Sequence, residues 1–104
     1  MHRRLLLFAL SMAGMLSAHA RPVLPPLFSD NMVIQQQTNA PIWGQAKPGR
    51  KVTVTASWDG KTIKTTADAQ GNWRTALQTP AAGGPYTITV SDGQKLTLQN
   101  VMVG

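Results

Sequence analysis

The sequence contains no cysteine among its 104 residues. This absence excludes disulfide bonds, zinc sites with cysteine ligands, thiol catalysis and a membrane anchor attached through a lipidated cysteine. Histidine is nearly absent as well, because His2 and His19 both lie within the first twenty residues. A Ser-His-Asp triad therefore cannot be built from residues 21–104. We predict no catalytic, cofactor-binding or metal-binding residue in that range, and no cofactor.

Acidic residues are scarce, and the chain has only Asp30, Asp59, Asp68 and Asp92. All four sit in predicted turns, where an aspartate usually hydrogen-bonds nearby backbone amides. Acid–base catalysis of the glycosidase kind needs two carboxylates that face each other across a cleft. A calcium site around Asp68 would lack the D-x-D-x-D-G loop. We therefore predict a structural role for these carboxylates.

Long apolar runs are also missing, apart from Leu5 to Leu16 near the start of the chain. This run follows Arg3 and Arg4 and precedes the small-residue sequence Ala18-His19-Ala20. The order of these features predicts that residues 1–20 are a secretory signal peptide. The run is too short to span a bilayer comfortably. We expect an exported protein, periplasmic or extracellular, with no membrane anchor.

Basic residues outnumber acidic ones by ten to four, which gives the chain a formal net charge of +6. Removal of Arg3 and Arg4 with the signal peptide leaves a net charge of +4. The remaining basic residues are spread along the chain and form no run of the kind that binds nucleic acid. We expect them to form a solvated surface, with no nucleic-acid partner.

The residues that remain favour β-strands, because apolar and polar side chains alternate in several short stretches. These stretches are APIWGQA (40–46), KVTVTASW (51–58), WRTALQ (73–78), YTITVSD (86–92) and QKLTLQNVMVG (94–104). No stretch after residue 20 has a helical period. Seven or so short strands separated by turns predict an all-β fold over residues 21–104. The expected architecture is an antiparallel β-sandwich of the immunoglobulin-like or jelly-roll-like type.

Turn residues predict how these strands connect. Asp59-Gly60 favours a two-residue type I′ turn. That turn would pair Trp58 with Lys61 and Val54 with Thr65. The apolar face of the two strands then stays together, whereas a shift of one residue would break it.

Three further irregular segments are predicted. Asp30-Asn31, set between Leu27-Phe28 and Met32-Val33-Ile34, predicts a tight hairpin. Residues 79–85 (TPAAGGP) predict a loop. A change of phase near Gln99-Asn100 predicts a bulge in the last strand.

The chain stops at VMVG, within its last predicted strand. A terminus is usually polar and exposed. We therefore expect the domain to be incomplete at its C-terminal end, with an apolar, unpaired edge at that strand.

Trp43, Trp58 and Trp73 are the best candidates for a binding site. Exposed tryptophans can stack on sugar rings, which makes a carbohydrate-binding surface one hypothesis. Each tryptophan also lies on a predicted strand, and Trp58 and Trp73 share a face with apolar residues. Packing in the core of the sandwich is the competing interpretation, because a large aromatic side chain fills such a core without any ligand.

Four ordered stretches carry a resemblance to a known family. They are LPPLFSDNMVIQQ, APIWGQAKPG, ADAQGNW and GGPYTITV, and they cover nearly all of residues 23–104. This ordered set resembles the N-terminal region of bacterial sialate O-acetylesterases. None of the four stretches is specific alone, whereas their order is.

The resemblance implies a β-sandwich that precedes an esterase domain of the SGNH type. In that family the nucleophile is the serine of a Gly-Gln-Ser-Asn motif that follows a position like Gly104. The aspartate and histidine of the site lie further along. None of these positions exists in this chain, so no catalytic residue is carried over, and the chain should be inactive alone. The family removes O-acetyl groups from sialic acids, and related members act on other sugars such as xylans, without a metal.

The leading interpretation is a non-catalytic accessory domain, residues 21–104, of a secreted sialate O-acetylesterase-like hydrolase. Its partners would be the SGNH hydrolase domain of the same parent chain and, through the parent, acetylated glycans. The alternative is a stand-alone carbohydrate-binding module that uses tryptophan stacking. A purely structural cell-surface sandwich is a third possibility, which the lack of tandem repeats disfavours.

Overall fold

A computed structural model describes residues 21–104. Seven strands form this part of the protein: β1 (Val33–Ile34), β2 (Asn39–Gln45), β3 (Lys51–Ala56), β4 (Thr62–Thr66), β5 (Asn72–Gln78), β6 (Gly83–Ser91) and β7 (Lys95–Val103). The predicted signal peptide, residues 1–20, lies outside the described range. Among the described residues there is no helix that could cross a membrane.

The seven strands form two sheets that pack against each other. The larger sheet has the order β1-β7-β6-β3-β4, and the smaller one pairs β2 with β5. Neighbouring strands are antiparallel, except that β1 runs parallel to β7. The predicted all-β sandwich is confirmed, with this one parallel pair as an addition that the alternation of residues did not indicate.

The core lies between the two sheets and follows from the alternation of side chains along each strand. The smaller sheet contributes Ile42, Trp73 and Leu77, and the larger sheet contributes Val52, Val54, Ile88, Val90, Leu98 and Val101. Complete burial of an aliphatic side chain of this size stabilises the fold by about 1.5–3 kcal/mol. The two inner faces are therefore what holds the sheets together.

The predicted register of the β3–β4 hairpin is wrong by two residues. Val54 pairs with Ile63 rather than with Thr65. The chain leaves β3 at Ala56, where the Gly60 N–H donates to the Ala56 carbonyl oxygen at 2.9 Å. The resulting turn is wider than the predicted two-residue turn. Because the shift is two residues, every side chain keeps the face that the alternation assigned to it.

The predicted opening hairpin is also wrong, although a turn is present at Asp30-Asn31. Leu27 and Phe28 lie in no strand, so β1 has no antiparallel partner before the turn. Asn31 has the positive φ of 68° that such a turn requires. The turn instead bonds to Gln99 in β7, because the Asn31 N–H donates to the Gln99 carbonyl oxygen at 2.9 Å. The Asp30 carboxylate in turn accepts the Gln99 N–H at 2.8 Å.

The bulge predicted at Gln99-Asn100 is confirmed. The pairs Ile88–Leu98 and Tyr86–Val101 enclose one more residue on β7 than on β6. Asn100 has a φ of 55°, the left-handed conformation that asparagine tolerates better than most residues. The extra residue restores the inward direction of Val101, which is fully buried.

The loop predicted over residues 79–85 is shorter than expected, because β6 begins at Gly83, which pairs with Val103. The predicted unpaired edge at the last strand is wrong. β7 lies between β6 and β1, and its far end is bonded, since the Gly104 N–H donates to the Ile34 carbonyl oxygen at 3.0 Å. The parallel strand β1 pairs with the edge of β7 that was predicted to be unpaired.

Candidate functional site

The carboxylates of the described residues are held by backbone amides. The donors are the N–H groups of Lys61 to Asp59 (2.9 Å), Gln70 and Asn72 to Asp68 (2.9 Å each), Gln94 to Asp92 (3.1 Å) and Gln99 to Asp30 (2.8 Å). Three of these carboxylates bond within their own turn, as the turn chemistry predicts. Asp30 reaches across to β7 instead. Each carboxylate thus sits in a separate turn, and none of the four lines either of the two surface grooves described below.

Two serine hydroxyls are engaged with backbone amides. Ser57 Oγ accepts the Thr87 N–H at 2.9 Å, and Ser91 Oγ accepts the Gly93 N–H at 3.2 Å. Residues 21–104 contain no cluster of three or more histidine, cysteine or acidic side chains that could hold a metal ion. Aromatic and amide side chains are therefore the candidates for binding in this range.

Trp73 and Trp58 are both largely committed to the fold. Trp73 points inward from β5 and is 3% exposed, so its ring is inaccessible to a ligand. Its buried indole N–H donates no hydrogen bond to another atom of the described residues. Trp58 lies in the turn after β3 rather than on the strand, and does not pair with Lys61.

Trp58 contacts both sheets. Its Nε1–H donates to the carbonyl oxygen of Gln78 in β5 at 3.1 Å. Its ring meets Tyr86 of β6 edge to face, with the ring centres 5.4 Å apart and the planes at 80°. This geometry is the favourable one for an aromatic pair. Trp58 is half-buried, and its indole N–H is hydrogen-bonded. It therefore connects the two sheets.

Trp43 points outward from β2, between the buried residues Ile42 and Gly44, and is 37% exposed. Arg74 lies directly opposite on β5, and its guanidinium carbon is 5.9 Å from the centre of the indole ring. Phe28 meets the same indole at 83°, with the ring centres 4.8 Å apart. Of the three tryptophans, Trp43 is the exposed one, whereas Trp58 is half-buried and Trp73 is buried.

Two surface grooves meet at Trp43. The first, here called the proline groove, has a volume of about 390 Å³ and is lined by Val23, Leu24, Pro25, Pro26, Trp43, Gly44, Gln45 and Asn72. The second, called the edge groove, has a volume of about 420 Å³ and is lined by Leu27, Phe28, Met32, Val33, Ile34, Gln35, Thr38, Asn39, Ala40, Pro41 and Trp43. Volumes of this size suit a small ligand or a protruding side chain of a partner.

The proline groove is formed where the opening segment crosses β2. Val23 and Gln45 exchange backbone hydrogen bonds of 2.9 and 2.8 Å. Gly44 is required at this crossing, because a β-carbon on it would stand 2.4 Å from the Val23 carbonyl oxygen. Among the lining residues, the Gln45 side-chain amide donates to Asn72 Oδ1 at 3.3 Å. The groove thus combines an aromatic wall with side-chain amides, a combination suited to hydroxyl-rich ligands.

Phe28, Gln45, Asn72 and Arg74 were not singled out from the sequence. They reach Trp43 through the pairing of β2 with β5 and through the fold of the opening segment, neither of which local alternation reveals. The signal that was available is the phase of APIWGQ, since an inward Ile42 implies an outward Trp43.

A comparison with solved structures relates this chain to a protein of known activity. No protein-family model matches the chain, and no match was found among curated proteins. The chain is similar to the crystal structure of a carbohydrate acetylesterase from Xanthomonas citri, with 40% sequence identity and a TM-score of 0.74. The match covers 80% of this chain.

The chain is related to one part of a carbohydrate acetylesterase.

The match covers only 19% of the Xanthomonas citri acetylesterase, so the present chain spans about a fifth of the length of its carbohydrate-esterase relative. At this level of identity the likeness extends beyond the fold to shared sequence. The activity of the carbohydrate-esterase relative belongs to that whole protein, of which this chain matches one part.

Proposed function

We propose that residues 21–104 form the non-catalytic N-terminal sandwich of an exported carbohydrate acetylesterase, with a hydrolase domain of the SGNH type in the same parent chain. The observation that supports this most is the 40% identity to a carbohydrate acetylesterase over 80% of the chain. The engagement of the carboxylates and of two serines by backbone amides supports the non-catalytic part of the proposal.

The substrate class that we propose is an O-acetylated sugar, with O-acetyl sialic acid as the first choice and acetylated xylan as the second. This choice rests on the ordered resemblance to sialate O-acetylesterases. The reaction is the hydrolysis of an acetate ester by a serine nucleophile outside the present chain. The role of the sandwich in that reaction is to support the hydrolase domain and to shape its surroundings.

Acetate release by the complete gene product tests this function. The purified product and the chain 21–104 are each incubated with O-acetylated sialic acid and with acetylated xylan. We expect acetate from the complete product and none from the chain 21–104. The same glycans, de-acetylated beforehand with alkali, provide the blank. Acetate release by the chain 21–104, or none by the complete product on either substrate, would contradict the proposal.

A second candidate function, glycan binding by the sandwich itself, is favoured by the exposure of Trp43 beside the proline groove. The contacts of Arg74 and Phe28 with the indole ring leave less of it free for a sugar. Titration of tryptophan fluorescence with sialylated and acetylated glycans tests this function. A shift that persists in Trp58→Phe and disappears in Trp43→Phe supports binding at Trp43. No shift in the unaltered chain removes this candidate.

A further inference from the structure

The edge groove concentrates the exposed apolar surface of the described residues. Five large apolar side chains in this range are exposed: Val23, Leu27, Val33, Trp43 and Met102. Leu27 and Val33, at 66% and 69% exposure, line the edge groove together with Trp43. Met102 continues the patch, because it is the neighbour of Val33 in the β1–β7 pair. Apolar surface gathered in one place, rather than scattered, marks a surface that is covered by a partner.

The opposite edge of the larger sheet has a different character. Its last strand, β4, presents exposed Thr62, Lys64 and Thr66. Lysine on an edge strand is a common protection against unwanted pairing. The edge at β1 lacks this protection, since its exposed residue is Val33. The two edges are therefore built for different surroundings, with water at β4 and an apolar partner at β1.

The end of the chain lies beside the edge groove. The Gly104 N–H donates to the Ile34 carbonyl oxygen at 3.0 Å, and the Gly104 carbonyl oxygen accepts the Gln36 N–H at 3.1 Å. Val33 Cγ1 lies 3.9 Å from the position of a β-carbon on Gly104. Polypeptide that continues from Gly104 starts next to the apolar patch, so this patch is within immediate reach of the residues that follow.

We propose that the edge groove is the docking surface for the hydrolase domain of the parent chain, which inserts apolar side chains between Phe28, Val33 and Pro41. This inference rests on the proposed function, and it adds the surface and the chemistry of the contact. The share of the Xanthomonas citri acetylesterase that this chain leaves unmatched supplies a partner of sufficient size. Burial of the apolar patch couples the stability of the sandwich to that of the hydrolase domain.

The test uses two glutamate variants in the complete gene product. Leu27→Glu combined with Val33→Glu places two charges in the edge groove. Lys64→Glu combined with Thr66→Glu is the matched control, because it places two glutamates at exposed positions of the other edge strand, β4. We expect the unaltered complete product to unfold in one calorimetric transition, and the groove variant to unfold in two, the first with its midpoint lowered by several degrees. The control should keep one transition at the original temperature.

A second measurement separates a lost interface from a damaged sandwich. In the chain 21–104 by itself, Leu27 and Val33 are exposed, so the groove variant should keep the unaltered circular dichroism spectrum and midpoint. Oxidation of Met102 by dilute peroxide should be slower in the complete product than in the chain 21–104, and the groove variant should lose this protection. Equal oxidation rates in the two unaltered proteins would overturn the inference.

The possible outcomes separate the inference from the proposed function. If the complete product releases no acetate, the proposed function fails. If it releases acetate and the groove variant unfolds like the Lys64→Glu/Thr66→Glu control, the docking surface alone is refuted. If the chain 21–104 sediments as a dimer that the groove variant dissociates, the occupant is a second copy, which also refutes docking of the hydrolase domain.

Discussion

At the residue scale, single aspartate side chains stabilise turns by accepting hydrogen bonds from backbone amides. Asp68 is the clearest, because one oxygen of its side chain accepts two backbone amides, from Gln70 and Asn72, at 2.9 Å each. Gly71 completes this turn with a φ of 85°, which glycine adopts without steric cost. The turn sets the start of β5 and with it the inward direction of Trp73.

Asp68→Ala should destabilise the chain 21–104 by about 1–2 kcal/mol, because two backbone amides lose their hydrogen-bond acceptor. The loss is no larger because the turn is exposed, so water can accept hydrogen bonds from these amides instead. Asp68→Asn retains the oxygen and should recover most of this loss. Urea unfolding followed by tryptophan fluorescence measures both variants. Equal midpoints for the alanine variant and the unaltered chain would show that the turn does not depend on Asp68.

Gly44 is the residue on which the proline groove depends, because Gly44→Ala places a β-carbon against the carbonyl oxygen of Val23. We expect this variant to separate the opening segment from β2 and to cost about 1–3 kcal/mol, as overpacking does. The Gln45 amide bonds to that carbonyl oxygen, so its hydrogen exchange should accelerate. Gly104→Ala is the control, because the nearest atom to a β-carbon at that position, Val33 Cγ1, lies at an ordinary van der Waals distance of 3.9 Å. Unchanged exchange at Gln45 in Gly44→Ala would contradict this description of the crossing.

At the scale of elements, the turn at Asp30-Asn31 and the bulge in β7 form one joint. Asn100 Nδ2 donates to Asn31 Oδ1 at 2.8 Å, and both asparagines have positive φ. Gln99, next to the bulge, bonds to the turn through its own backbone N–H and carbonyl oxygen. This joint positions β1 parallel to β7 and thereby forms one wall of the edge groove.

Replacement of Asn100 tests the joint. Asn100→Val should destabilise the chain by about 1–2 kcal/mol more than Asn100→Gly, because a β-branched residue resists the left-handed conformation. Both variants lose the hydrogen bond to Asn31, so the difference between them isolates the backbone effect. The measurement is the urea midpoint of each variant. Indistinguishable midpoints would mean that the bulge moves elsewhere when Asn100 is replaced.

Local alternation was sufficient to predict the strands and their inner faces, because a side-chain period of two depends only on neighbouring residues. Val52, Val54, Ile88 and Val90 are all buried as expected. The bulge at Gln99-Asn100 was predictable for the same reason, since it shows as a break in that period.

Pairings between distant segments were not predictable from local alternation. The parallel pair of β1 and β7 joins the first and the last strand of the sequence. Nothing in the residues Val33–Ile34 indicates that β7 is their partner. The register at Asp59-Gly60 failed for a different reason. Shifts of two residues preserve both faces, so the hydrophobic pattern does not distinguish them.

The same division applies to the candidate site. The three tryptophans were identifiable by residue type, and the outward direction of Trp43 follows from its strand. Its contacts with Arg74 and Phe28 depend on the tertiary fold, as does the position of Trp58 in a turn. Sequence reasoning therefore located the candidates, while the fold distinguished the exposed Trp43 from the half-buried Trp58 and the buried Trp73.

At the scale of the whole molecule, the larger sheet of the described residues has one polar edge, at β4, and one apolar edge, at β1. The polar edge at β4 suits water, and the apolar edge at β1 lies beside Gly104. The match to about a fifth of a carbohydrate acetylesterase agrees with a part that works within a larger protein. We propose that the parent chain carries the catalytic serine. The gene must then encode further residues after Gly104, which can be tested directly.

The most direct measurement is the coding sequence beyond the codon for Gly104. The proposed function predicts that the reading frame continues and soon encodes a Gly-Gln-Ser-Asn motif, with an aspartate and a histidine much further on to complete the hydrolase site. A stop codon directly after Gly104 would contradict the assignment to an acetylesterase. The sandwich would then have to act alone, and the Trp43 surface would become its leading functional site.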